Sequence, residues 1–243
     1  MNNYYQEFDQ LMEHYHKIKR FVLENADSFA TKKAEKIIYS TPSLLLGLHT
    51  PSLLLNIGYS SSFKKGKKLN SPGDRSDYLS YEYDQDGKLI RITEHGDSCR
   101  FFYCILEQNG FEWAIPIYHY NDQYCAYPYY AKASSWDDQG RISTFAQIDN
   151  GSIWIEKYSY PSDAPSIAIC EKWYYVPNLS HSSKEKSVAE TGSPAQLWVY
   201  QLDITNPKKI TGKIIESYEH DVSAYRQNPP CLPAPLIHTK ISN

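Results

Sequence analysis

Tyr81-Glu82-Tyr83-Asp84-Gln85-Asp86-Gly87-Lys88-Leu89-Ile90-Arg91-Ile92-Thr93 decides the fold. Two arms rich in Tyr and Ile flank Asp-Gln-Asp-Gly. Aromatic and β-branched residues suit a pleated, half-buried surface, and Asp-Gly supplies the residue that accepts positive φ in a tight turn. The stretch reads as strand, turn, strand. A related segment returns at Ser135-Trp136-Asp137-Asp138-Gln139-Gly140-Arg141-Ile142. Setting Asp84 on Asp137 puts Gly87 on Gly140, Lys88 on Arg141 and Leu89 on Ile142.

Working outward, the same strand-and-turn grammar fills the rest of the chain after residue 78. Residues 101–106 form a continuous apolar run, as in a central strand buried on both faces. Asn109-Gly110 turns it into residues 113–120, where Pro116 argues for an edge or a bulge. Asn121-Asp122 turns that strand into an answering one over 124–132. Asp149-Asn150-Gly151 joins 141–148 to 153–160. A strand over 167–176 follows, and a last hairpin pairs 196–203 with 209–218. Residues 178–195 are polar, aperiodic and loop-like.

Before residue 78 the pattern differs. Tyr4, Phe8, Leu11, Tyr15, Ile18 and Val22 recur at spacings of three and four, which predicts an amphipathic helix over 3–24. Asp27 or Ser28 is placed to cap a second helix through Ile38. Thr41-Pro42-Ser43-Leu44-Leu45-Leu46 is duplicated as Thr50-Pro51-Ser52-Leu53-Leu54-Leu55, and each copy reads as a strand start after proline. The expected class is α+β: an N-terminal helical segment packed on an extended antiparallel β-sheet of repeated hairpins, mainly β. The expected divisions are 1–40 helical, 41–225 β-meander and 226–243 a proline-rich tail.

Composition bounds the function. Among 243 residues, 41 % are hydrophobic and 22 are tyrosines, enough apolar surface for a sizeable core. A net charge of −3 does not suggest nucleic-acid binding. Five cysteines with no Cys-x-x-Cys spacing favour reduced, buried thiols over a disulfide framework. Neither a secretory leader nor a membrane-spanning run is present, so the expected compartment is the cytoplasm.

Tyr81-Glu82-Tyr83-Asp84-Gln85-Asp86-Gly87-Lys88-Leu89 resembles the YD repeat of Rhs-type proteins, Tyr-x-Tyr-Asp-x-x-Gly-Arg-Leu, with Lys88 in place of arginine. Trp136-Asp137-Asp138-Gln139-Gly140-Arg141-Ile142 is a second copy that replaces the tyrosine by Trp136. Tyr200-Gln201-Leu202-Asp203 is a third, without the glycine. In that family many repeats build a shell around a toxin, which two or three copies cannot do. The resemblance implies an antiparallel meander and a bacterial source. By analogy, small β-rich proteins of this kind resemble immunity proteins of bacterial toxin systems.

No catalytic signature stands out. The eight histidines form no His-x-x-x-His pair, and the chain has no nucleophile elbow or phosphate-binding glycine loop. His95, Asp97 and Cys99 alternate, but Gly96-Asp97 is itself a turn signal, so no metal is expected. The aspartate pairs Asp84/Asp86 and Asp137/Asp138 are explained by turn chemistry. The expected function is non-enzymatic protein binding, and more narrowly immunity to a cognate bacterial toxin domain. The expected contact residues are Tyr118, Tyr120, Tyr124, Tyr127, Tyr129 and Tyr130, the densest tyrosine cluster, which ordinary cross-strand packing also explains. No catalytic residue, cofactor, nucleic acid or membrane partner is expected. Two alternatives stay open: an enzyme or small-ligand-binding protein with a site assembled from distant residues, and an oligomeric β scaffold.

Overall fold

A computed structural model describes residues 4–42, 51–62, 67–96, 101–126, 130–149, 152–176, 193–207, 209–219 and 240–241. The class is α+β and mainly β, a short N-terminal helical part followed by antiparallel strands. Residues 178–192 and the proline-rich stretch 226–239 lie outside the described residues. The chain folds as two compact units, one of residues 11–50 and 63–133, the other of 1–10, 51–62 and 134–243.

Helix α1 (Tyr4–Glu24) follows the predicted period, and Phe8, Leu11, Tyr15, Ile18 and Val22 are all buried. Helix α2 (Ala26–Thr31) is only six residues long. The helix expected through Ile38 stops there, and β1 (Lys36–Ser40) follows. Ala30, Ala34, Ile37 and Ile38 do carry a helical spacing, but β-branched isoleucines pair well across strands. Here Ile38 lies opposite Tyr81 and packs on its core cluster, so tertiary pairing overrides the local period.

In the unit of residues 11–50 and 63–133, β2 (Lys68–Leu69), β1, β3 (Tyr78–Tyr83), β4 (Leu89–His95), β5 (Phe101–Gln108) and β6 (Phe111–Tyr120) pair in that order. Strand β7 (Gln123–Ala126) pairs with the end of β6. One face of this sheet holds Leu79, Tyr81, Ile92, Tyr103, Ile105 and Ala114. Strand β5 is buried on both faces from Phe102 to Ile105, as its apolar run predicts. Pro116 is buried in an interior strand, opposite Tyr103 on β5, rather than at an edge. It stands one residue beyond the last β7 pair, Ile117 with Ala126. The single answering strand expected over 124–132 is two, β7 and β8 (Ala131–Trp136).

In the other unit, β9 (Ile142–Asp149), β10 (Ser152–Ser159), β11 (Ile167–Val176), β12 (Ser193–Asp203), β13 (Thr211–Glu219) and β14 (Lys240–Ile241) each pair with the next. Helix α3 (Leu53–Ser62) replaces the strand expected after Pro51. Ser52 is its N-cap: the hydroxyl accepts the Leu55 N–H at 3.0 Å. Ile57 joins Phe145, Tyr158, Cys170 and Leu202 in the core, with Leu53, Leu54 and Leu55 packed around it. A Cβ on Gly212 would lie 2.6 Å from Leu202 Cδ2 and 3.3 Å from Ile57 Cδ1, so the helix approaches β13 closely only over glycine. The first copy of the leucine duplication, 43–46, lies outside the described residues.

The two Asp-x-x-Gly copies take one geometry. Asp84 Oδ1 accepts the amides of Asp86 and Lys88 at 3.1 and 2.9 Å, and Asp137 Oδ1 those of Gln139 and Arg141, both at 2.9 Å. Gly87 has φ +76° and Gly140 φ +73°. The aspartate supplies the turn's acceptor and the glycine its left-handed residue.

Candidate functional site

The β6–β7 hairpin carries Tyr118, Tyr120 and Tyr124 of the predicted contact cluster. Asn121 and Asp122, with φ of 48° and 59°, close it as a tight two-residue turn. Tyr118 lies opposite Cys125, His119 opposite Tyr124 and Tyr120 opposite Gln123. Strand pleating therefore puts Tyr118 and Tyr120 on one face and His119 with Tyr124 on the other. Tyr120 is 64 % exposed, the most exposed of the large hydrophobic side chains among the described residues. His119 meets Tyr124 edge-on at 5.0 Å, and Tyr124 meets Phe102 edge-on at 6.0 Å. Tyr130 packs against the Tyr81–Tyr103 core cluster. Tyr127 and Tyr129 lie outside the described residues. The structure thus puts Tyr118, half-buried, and Tyr120, exposed, on one face of the hairpin and gives Tyr124 and Tyr130 packing contacts.

Two buried polar clusters escaped the sequence reading. The first grows from the deciding stretch itself. Tyr78, Ser80 and Glu82 alternate along β3, facing His95, Thr93 and Arg91 on β4. Arg91 pairs with Glu82 Oε2, and both side chains are nearly buried. The guanidinium also donates to the carbonyls of Phe29, Ala30 and Lys32 at the end of α2. Glu82 Oε1 accepts from Thr93 at 2.8 Å and from Ser80 at 3.1 Å. Ser80 has one proton; with it on Glu82, its oxygen accepts from His95 Nε2, 3.0 Å away. His95 stacks on Tyr78 at 4.2 Å, and burial lowers its pKa against the opposing pull of Glu82. His95 is therefore a packed member of this network. Asp97 and Cys99 lie outside the described residues, and the described residues contain no group of His, Cys, Asp and Glu able to hold a metal ion.

The second cluster centres on Glu156 in β10, which is fully buried. Ser52 donates to its Oε2 at 2.6 Å across 104 residues of sequence, and Tyr158 donates to the same oxygen at 2.5 Å. Tyr158's oxygen in turn accepts the Leu53 N–H at 3.0 Å. The first amides of α3 thus run through two hydroxyls to one carboxyl. Burial raises the Glu156 pKa, opposed by the charge of Lys172 and by the hydroxyl bonds. Lys172 lies opposite Glu156 on β11, but its ammonium stands over the Trp154 ring, 4.8 Å from the centroid. Burial and the nearby Glu156 push the Cys170 thiol well above its ordinary range, and burial pushes Cys104 up to about 12. Both are inert buried thiols.

In both clusters the hydroxyls are spent on the carboxyl groups and on helix ends, while Glu156 Oε1 is buried with no hydrogen-bond partner among the described residues. A third buried ionisable group, Lys132 on β8, has its ammonium pushed down to about 7 by burial. The strand pattern held a signal for Glu156. Its neighbours Ile153, Ile155 and Tyr158 are apolar on both faces, so a carboxylate between them had to be buried. The Ser52 partner left no local signal.

No protein-family model matches this chain, and neither a curated protein nor a solved structure matches it.

Proposed function

We propose that this chain is a non-enzymatic protein-binding module whose contact element is the β6–β7 hairpin. The carrying observation is the exposed tip: Tyr120 at 64 % exposure, with Tyr118 on the same face and His119 exposed on the other. A tyrosine ring offers a large contact area with few rotatable bonds, and it keeps a hydroxyl for the partner's polar groups. A turn fixed by two left-handed residues presents it at low ordering cost. The narrower form of the proposal is neutralisation of a bacterial toxin domain by occlusion. The mild acidic balance of the chain, 28 acidic against 25 basic residues, supports a partner of basic character.

The test captures partners from the source cell's lysate on the full chain, on Tyr118→Ser/Tyr120→Ser and on Phe21→Ser, Phe21 being an exposed control on α1. The expected result is one stoichiometric protein on the wild type and the control, and its loss from the double variant. Equal capture by all three, or none by the wild type, overturns the hairpin assignment. The toxin reading further requires that the captured protein arrest growth when expressed alone and not when co-expressed with this chain.

A further inference from the structure

We propose that the outer edge of β1 is a second docking site, for an acidic peptide that adds to it as an extended strand. Strand β2 covers only the far end of β1. Tyr39 lies opposite Leu69 and Ser40 opposite Lys68, and the Thr41 N–H bonds to the Lys67 carbonyl at 2.9 Å. In an antiparallel ladder every second residue exchanges hydrogen bonds with the same neighbour. Thr41 and Tyr39 face β2, so Ile37 is next in that series. Asn70 bends the chain where β2 ends, so the ladder leaves the outward N–H and C=O of Ile37 without a β2 partner. Ile37 itself is 44 % exposed, one of four large hydrophobic side chains in that state. An unpaired donor and acceptor beside an exposed aliphatic side chain is what strand addition uses.

Charge selects the occupant. Exposed Lys32, Lys33 and Lys36 stand on one side of Ile37 along the edge, and exposed Lys67, just before β2, and Lys68, in it, stand at the other. The single exposed acid at this edge, Glu35, is paired with Lys33 at 3.1 Å. The ammonium groups of Lys32, Lys67 and Lys68 have no carboxylate partner among the described residues. A basic edge on a chain of net charge −3 is a local reversal of sign. Pairing β1 with β1 of a second copy would bring the two lysine sets together, and like charges across strands are unfavourable. The same lysines that reject self-pairing attract a strand with carboxylates on its alternate positions. The site is independent of the β6–β7 hairpin.

The test uses the full chain and two capped octapeptides, one of alternating Glu and Val, one of alternating Lys and Val. Calorimetric titration and amide hydrogen exchange are read together. The Glu/Val peptide is expected to bind one to one, to slow exchange of the Ile37 N–H and to weaken as salt rises. The Lys/Val peptide is expected not to bind. Lys32→Glu/Lys68→Glu, two exposed substitutions, should weaken the Glu/Val peptide about tenfold or more, since each reversal adds a repulsive pair to a lost attractive one. Ile37→Pro removes the donor and should abolish binding of the Glu/Val peptide in the calorimetric titration. Failure of the Glu/Val peptide to bind, equal binding of both peptides, or binding that leaves Ile37 exchange unchanged overturns the proposal. So does self-association of the free chain that the charge reversals abolish.

Discussion

Glu82 and Glu156 are the same kind of residue in the same situation, a buried glutamate on a strand, yet each is held by different chemistry. Glu82 is matched by a cation: Arg91 neutralises it and then caps the carbonyl end of α2. Glu156 is matched by hydroxyls: Ser52 and Tyr158 donate to it and then take up the amide end of α3. A helix C-terminus needs donors and a positive charge, whereas an N-terminus needs acceptors. An arginine meets the first need and a hydroxyl oxygen the second. In each unit the carboxyl orients the group that holds the helix end. The two sites therefore anchor helices by opposite means, and they should fail differently.

The largest loss is expected from Arg91→Met. It leaves the Glu82 carboxylate buried without its cation and frees three α2 carbonyls. Breaking one side of a buried pair costs roughly 3–5 kcal/mol. Urea denaturation should show that loss, with hydrogen-exchange protection falling first in β3, β4 and the end of α2. Adding Glu82→Gln to Arg91→Met should recover part of it, because the uncompensated charge is then gone. A loss under about 1 kcal/mol for Arg91→Met would mean the pair is screened like a surface one, and the contrast with Glu156 would collapse.

Tyr158→Phe comes next. It removes a donor to Glu156 and the acceptor of the Leu53 amide in one step, which should cost about 1–3 kcal/mol. Ser52→Ala removes the α3 cap and the other donor, for about 1 kcal/mol or more. The increase in exchange should fall on the first turn of α3. If protection there is unchanged, the helix is held by its leucines against the sheet, and the hydroxyl relay only satisfies a buried acid.

What the sequence could announce divides along the same line. The turns at Asp84 and Asp137 were legible because everything that specifies them lies within five residues. Strand β5 was legible from the continuous apolar run over 101–106. The β1 strand was not, because Ala30, Ala34, Ile37 and Ile38 fit a helix locally and only pairing with β3 decides otherwise. The α3 cap was written in Pro51-Ser52 ahead of three leucines, a helix start as much as a strand start. Of the tyrosine cluster, the sequence located the hairpin but could not say that Tyr124 and Tyr120 lie on opposite faces, since that depends on the register across the turn. The relay to Glu156 depends on contacts 104 residues apart, which no window contains.

The two turns sharpen the comparison at smaller scale. A Cβ added at Gly87 or Gly140 meets nothing within 4 Å, so alanine at either carries only the backbone strain of positive φ, about 1–2 kcal/mol. Gly87→Ala and Gly140→Ala should therefore cost the same, despite different surroundings: Lys88 reaches Glu107, while Arg141 pairs with Asp137 and stacks on Tyr160. Clearly unequal losses, each measured by denaturation, would show that those surroundings take part in the turn.

The smallest change in stability, and the most specific, is expected from Glu156→Gln. Its side-chain oxygen can still accept from Ser52 and Tyr158, so at low pH the cost should be under about 1 kcal/mol. The difference lies in the pH dependence. Burial raises the folded-state pKa of Glu156 above that of an unfolded glutamate. Between those two values the folded chain binds the proton that the unfolded chain has lost, so stability falls as pH rises. The contribution is complete below the unfolded glutamate pKa and is lost as pH climbs through the raised one. Wild type should therefore lose stability across that window, and Glu156→Gln should lose the slope and hold α3 more firmly than wild type at its upper end. Glu82→Gln should leave this slope in place, because the slope belongs to Glu156. If Glu156→Gln keeps the wild-type slope, Glu156 is ionised in the folded chain with Lys172 as its counter-ion, and the two glutamates would be held by the same means after all.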